Sequence, residues 1–125
     1  MWKNELPSGC PPKNAIEQKI EVYRVLNNSE PKETDFQNYF QLYPENIRYK
    51  SLCKAYALSF YDSIENAISA VERSTTLQKC THIGKYIIDN SHGVCEFKES
   101  NGHYSVWLYD TWNYNNFPPV TITPI

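Results

Sequence analysis

Residues 57–61 read Ala-Leu-Ser-Phe-Tyr, a short apolar run that meets Asp62 and then turns into an amphipathic helix. A strand running straight into a helix leaves the rest of the chain few ways to bury both. Leu58, Phe60 and the nearby Tyr56 suit a buried or half-buried strand, because aromatic and branched side chains pack well on a pleated surface. Asp62 is suited to accept a bond from a free amide of the first helical turn, and Glu65, three residues on, completes a capping-box pattern. The spacing predicts a helix over residues 63–74, with Ile64, Ala67, Ile68 and Val71 on one face that should lie on a sheet.

A chain of 125 residues is a single domain by size, large enough to bury a core. The formal net charge of -2 gives no basic footprint, so binding to a nucleic-acid backbone is disfavoured. No apolar run approaches the ~20 residues of a bilayer span, and the opening Met-Trp-Lys-Asn-Glu lacks the apolar centre of a signal peptide. A cytoplasmic protein with no membrane association is expected. Four cysteines, Cys10, Cys53, Cys80 and Cys95, form no C-x-x-C pair, and in such a compartment they read as four reduced thiols. One alternative is a tetrahedral zinc site made by Cys80, His82, His92 and Cys95, should their segments be adjacent strands.

From the N-terminus, three prolines within residues 6–12 exclude helix or central strand, so residues 1–14 form an arm that packs on the sheet. Residues 20–26 read as the first strand, with Ile20, Val22 and Arg24 on one side and Glu21, Tyr23 and Val25 on the other. Arg24 stands out, because a guanidinium in a sheet holds a carboxylate, an anionic ligand or a structural partner. Thr34 and Gln37 make a second capping box for a helix over residues 34–43, whose Phe36, Tyr39, Phe40 and Tyr43 read as core contacts. Residues 43–51 read as irregular. Beyond the central unit, residues 81–88 read as a strand, Asp89 to Gly93 as a hairpin turn, and residues 94–98 as the returning partner. Asn101-Gly102 signals another hairpin, making residues 103–109 the third member of a meander. Residues 120–122 could add an edge strand. Strand, helix, strand, helix and then several antiparallel strands argue for an α+β fold, mainly antiparallel sheet with two helices packed on it.

The sequence carries no P-loop, dinucleotide fingerprint, H-E-x-x-H or nucleophile elbow. Two classes of function remain. The first is a non-enzymatic protein-interaction or accessory/immunity module, monomer or dimer, with Trp107, Tyr109, Trp112 and Tyr114 of the aromatic segment 107–125 contacting a protein partner. The second is a small enzyme using Arg24, Ser59 and His103, with His103 and Ser105 on one strand face as base and hydroxyl. Convergence of Arg24, Ser59 and His103 in one cleft separates the two.

Leu6-Pro7-x-x-Cys10-Pro11-Pro12, Tyr23-Arg24, the Asp35-Phe36 pair, the Leu58-Ser59-x-Phe strand segment and a late His103-x-Ser105-x-Trp107 segment resemble a family of small uncharacterised bacterial proteins, which implies no particular activity. A fainter likeness runs to ADP-ribosyltransferase-like domains, through Arg24 on the first strand, Ser59 and Tyr61 on a strand entering a helix, and Glu96 or Glu99 as a late acid. That likeness implies NAD as ligand: Arg24 would hold its phosphates, Ser59 would orient the ribose and the Glu would stabilise charge at the anomeric carbon. For the first class of function, the accessory/immunity module, the expected setting is a bacterial defence or conflict system.

Overall fold

The computed structural model describes residues 1–125 as an α+β domain built on a six-stranded antiparallel sheet. The strands are β1 (Ile20–Leu26), β2 (Leu58–Tyr61), β3 (His82–Ile88), β4 (Gly93–Lys98), β5 (His103–Leu108) and β6 (Thr121–Pro124), in the order β4-β5-β2-β1-β3-β6. Helices α1 (Tyr39–Leu42), α2 (Ile47–Ser51) and α3 (Ile64–Arg73) lie between β1 and β3, with short 3-10 turns at Glu33–Phe36 and Cys53–Tyr56.

The expected hairpin between residues 81–88 and 94–98 does not form. β3 pairs with β1 and β6, and β4 pairs with β5, so three strands separate them. The Asp89 to Gly93 signal does make a turn, closed by the His92 amide on the Asp89 carbonyl at 3.1 Å. In a flat sheet β3 and β4 would stand about 19 Å apart, whereas the ends of a closed turn lie about 7 Å apart. The sheet therefore curls on itself. β1 and β2 share a single register pair, Tyr23 with Tyr61, and there the sheet divides into halves β6-β3-β1 and β2-β5-β4.

The curl encloses the main core. Val22, Tyr86 and Ile88 of one half meet Leu58, Phe60, Cys95 and Val106 of the other, with Phe36, Trp112 and Phe117 closing the cluster. On the outer face α3 covers Tyr61 and Ile83 through Ala67 and Ala70, flanked by Ile64 and Ile68. Its N-cap is Ser63 rather than Asp62, since the Ser63 hydroxyl accepts from the Asn66 amide at 3.1 Å while Asp62 accepts from the Asn66 side chain at 2.7 Å. The Asn-Gly turn forms as expected, with Gly102 at φ 67 between β4 and β5.

The helix expected over residues 34–43 is broken. Gln37 is extended, and Asn38 starts α1 afresh, its side chain accepting from the Gln41 amide at 2.8 Å while the Gln41 side chain accepts from the Asn38 amide at 2.9 Å. Residues 43–51, read as irregular, contain α2, capped by the Asn46 side chain.

The arm follows β4 and β5. Ile16 exchanges both backbone bonds with Cys95 on the free edge of β4, and the Lys3 amide reaches the Leu108 carbonyl of β5 at 3.0 Å. Cys10 is joined to Cys53 by a disulfide, so the expectation of four reduced thiols holds only for Cys80 and Cys95. The arm brings the two sulfurs together across 43 residues of sequence separation, a proximity that neither local pattern encodes. No helix is long and apolar enough to cross a membrane.

Candidate functional site

A cavity of about 210 Å³ opens where β1 and β2 part, walled by α1 and the turn before it on one side and by the segment after α3 on the other. Arg24 sits in that gap. Its Nη1 donates to the Ser59 carbonyl at 2.7 Å, and Nε and Nη2 both donate to the Asp35 carbonyl, at 2.9 and 2.6 Å. Ordinarily a neighbouring strand would satisfy the Ser59 carbonyl; with β1 turned away, the guanidinium does so instead. Its carbon lies 5.5 Å from the ring centres of both Phe36 and Phe60. Burial lowers the Arg24 pKa, opposed chiefly by the Asp35 carboxylate, and the group remains charged.

Ser59 lies on the outer face, directly opposite Ser105 of β5. Its hydroxyl is 2.9 Å from His103 Nε2, and the His103 ring meets the edge of Tyr61 at 5.3 Å between centres. Burial, aided by Lys54 and Lys98, pushes the His103 pKa down to about 4, so the imidazole is neutral at pH 7. A neutral imidazole can hold the Ser59 hydroxyl, but at that pKa it is a weak base. Arg24, Ser59 and His103 thus converge in one hydrogen-bonded row, of which Arg24 and Ser59 line the cavity.

The late carboxylates stand elsewhere. Glu96 is opposite Ser105, two strand spacings or about 10 Å from Ser59, with its carboxylate 3.6 Å from Lys54 Nζ. Glu99 is exposed on the turn after β4. The four residues weighed as zinc ligands do not meet: Cys80 and His82 lie at the start of β3, His92 follows its far end, and Cys95 is in the core. A strand of seven residues separates the two ends by about 20 Å, while zinc needs all its ligands within about 2.3 Å. No group of three or more His, Cys, Asp or Glu residues is placed to hold a metal ion.

The aromatic segment is largely interior. Trp107 is fully buried with Nε1 donating to the Cys53 carbonyl at 3.1 Å, and Trp112 is buried against Phe36 and Phe117. Tyr109 is half-buried beside Trp2 and bonded to Glu17, and the Tyr114 hydroxyl donates to the Pro31 carbonyl. These residues close the fold and present little free surface.

The exposed tyrosines are instead on α1 and at its C-cap. Tyr39 and Tyr43, expected in the core, are 39% and 47% exposed and line the cavity mouth beside Leu42. Tyr39 stacks on Tyr43 and on Tyr49 of α2, with ring centres 6.5 and 5.7 Å apart. Lys79 lines the opposite wall. The Asp35 carboxylate is taken up by the Lys32 amide at 2.8 Å and the Asn27 side chain at 3.3 Å. Cationic side chains and aromatic rings thus share one mouth. Neither Lys79 nor the exposure of Tyr39 is marked by the apolar spacing; the polar Asn38 before Tyr39, which caps a new helix after the extended Gln37, is the available signal. The chain matches no protein-family model, no curated protein and no solved structure.

Proposed function

We propose that this chain is a nucleotide-binding domain of the ADP-ribosyltransferase-like kind, which takes NAD or a ligand of the same anionic and aromatic chemistry in the cleft between β1 and β2. Support comes above all from Arg24 and Ser59, which meet across the gap in the sheet and line the same cavity. The β2 strand carrying Ser59 and Tyr61 enters α3 directly, as the likeness requires. Lys79 and the remaining Arg24 donors favour phosphate oxygens, and Tyr39 and Tyr43 offer faces on which a heterocyclic base can stack. At about 210 Å³ the cavity is smaller than the roughly 300 Å³ at which ligand pockets usually begin, so it would take one end of the ligand and the rest of a dinucleotide would lie across the tyrosines.

Transfer chemistry has weaker support than binding. A late Glu is expected to stabilise charge at the anomeric carbon, and the late residue beside Ser59 is the neutral His103. The domain therefore binds its ligand without cleaving it. A thermal-shift series with NAD, ADP-ribose and nicotinamide tests this, since a ligand of the folded state raises the midpoint with its concentration. Stabilisation by NAD and ADP-ribose, with no nicotinamide released, is expected; no shift with any of them removes the proposal.

The exposed side chains of α1 and α2 favour a second reading, the non-enzymatic protein-interaction or accessory/immunity module of a defence system. Its contact face would be Leu42, Tyr43, Ile47 and Leu52, of which Ile47 is 80% exposed, in place of the buried Trp107 and Trp112.

A further inference from the structure

We propose that the Cys10–Cys53 disulfide is a redox latch on the cleft: a dithiol reductant that opens it loosens α1, the aromatic wall of the cavity. Asn38 connects the two. It is buried and lines the cavity, and its side-chain oxygen caps α1 at the Gln41 amide. Its Nδ2 group donates to the Tyr56 carbonyl and to Asn4 Oδ1 of the arm, both at 3.1 Å. One side chain thus ties α1 to both partners of the disulfide, the arm that carries Cys10 and the 3-10 turn that carries Cys53.

The Cys53 side is fixed. Its carbonyl accepts from the buried Trp107 indole, and Tyr56 in the same turn stacks on Phe40 of α1 with ring centres 4.4 Å apart. The arm is held to the sheet by backbone bonds at Lys3 and at Ile16. Between those points its covalent anchor is Cys10, with Leu6 and Ala15 packed on the cluster of Trp107 and Val94. Opening the disulfide frees the middle of the arm and removes the covalent tie between the arm and the turn, so the contact between them at α1 then depends on the Asn38 amide, which bridges Asn4 and the Tyr56 carbonyl.

Cys10 and Cys53 are both half-buried, so a reductant can reach the bond. One thiolate of a dithiol attacks one of the two sulfurs, forming a mixed disulfide and releasing the other cysteine as a thiolate. The second thiol of the reductant then displaces the first cysteine. Two electrons pass to the protein, which gains two thiols once protonated, and the reductant leaves as its own disulfide.

The latch rests on the cleft being the binding site, but its test needs no ligand. Amide hydrogen exchange of Leu42 and Tyr43, whose amides are bonded to the Asn38 and Tyr39 carbonyls, is followed before and after dithiothreitol. Reduction is expected to speed exchange at these two amides at least tenfold while β1 and β3 amides stay protected. A Cys10→Ser/Cys53→Ser double variant should exchange fast without reductant. Equal exchange in both states, or β1 and β3 amides that exchange as fast as those of α1 after reduction, overturns the latch. So does the untreated protein, if it holds Cys10 and Cys53 as free thiols and yet keeps α1 slow. If α1 responds and NAD binds neither form, the nucleotide proposal falls while the redox control of α1 stands.

Discussion

The Arg24 guanidinium crosses from β1 to the Ser59 carbonyl of β2 at 2.7 Å, replacing the strand ladder where the two halves of the sheet diverge. The same head holds the Asp35 carbonyl and so fixes the turn that leads to α1. Arg24 is thus structural and lines the cavity at once, and no single substitution there reports on binding alone.

Arg24→Ala should destabilise the fold by about 3 kcal/mol, because charged hydrogen bonds are lost and two carbonyls are left without donors. Arg24→Lys should recover less than half of that, since an ammonium cannot fork between the Ser59 and Asp35 carbonyls. Urea denaturation of the three proteins measures both; an Arg24→Ala midpoint equal to that of the parent would show the clamp to be idle.

The pH dependence of stability carries a signature of His103. Its folded pKa of about 4 lies below its ordinary 6.5, so between these values the unfolded chain binds a proton that the folded one does not. His103 is therefore neutral in both states above pH 6.5, and stability is lost as pH falls from 6.5 towards 4. His103→Gln should flatten that part of the stability curve. Denaturation midpoints at half-unit pH steps measure it, and an unchanged slope in the variant would assign the loss to other groups.

Tyr86 is fully buried and its hydroxyl has no hydrogen-bond partner. Burial holds its pKa well above the ordinary value. Tyr86→Phe removes an unsatisfied polar atom and should leave stability unchanged or raise it by about 1 kcal/mol. Trp107→Phe removes a buried, satisfied indole together with its hydrogen bond to the Cys53 carbonyl, so it should cost about 2 kcal/mol. Thermal denaturation of the pair tests the contrast, and a larger loss from Tyr86→Phe would contradict it.

Much of the fold is legible in the residues. Alternation placed Ile20, Val22 and Arg24 on one face of β1, and the Asn-Gly signal placed the turn into β5. Local signals say where the chain reverses but not which strand receives it. Asp89 to Gly93 is a turn as read, yet β4 crosses to the far edge because the curled sheet brings that edge near. The convergence of Arg24, Ser59 and His103 followed from three strands becoming neighbours, whereas Glu96 was taken two spacings away by the same register. The Cys10–Cys53 pairing depends on the route of the arm, a long-range contact with no local trace.

The disulfide closes a loop between positions 43 residues apart, and the chain-entropy account gives its removal a cost of about 4 kcal/mol. Cys53→Ser should lower stability by up to that amount in urea, whereas Cys80→Ser, on the rim of the cavity, should change it by about 0.5 kcal/mol or less. Equal midpoints for Cys53→Ser and the parent would mean that the bond adds nothing to the fold.

Calorimetric titration of NAD into the parent protein, Tyr39→Ala and Lys79→Ala tests the proposed cleft most directly, because both side chains line its mouth and neither belongs to the core. The parent should bind, and each variant should bind about tenfold more weakly, a loss of about 1.4 kcal/mol. Absence of binding to the parent, or equal affinity in all three proteins, would contradict a nucleotide site between β1 and β2.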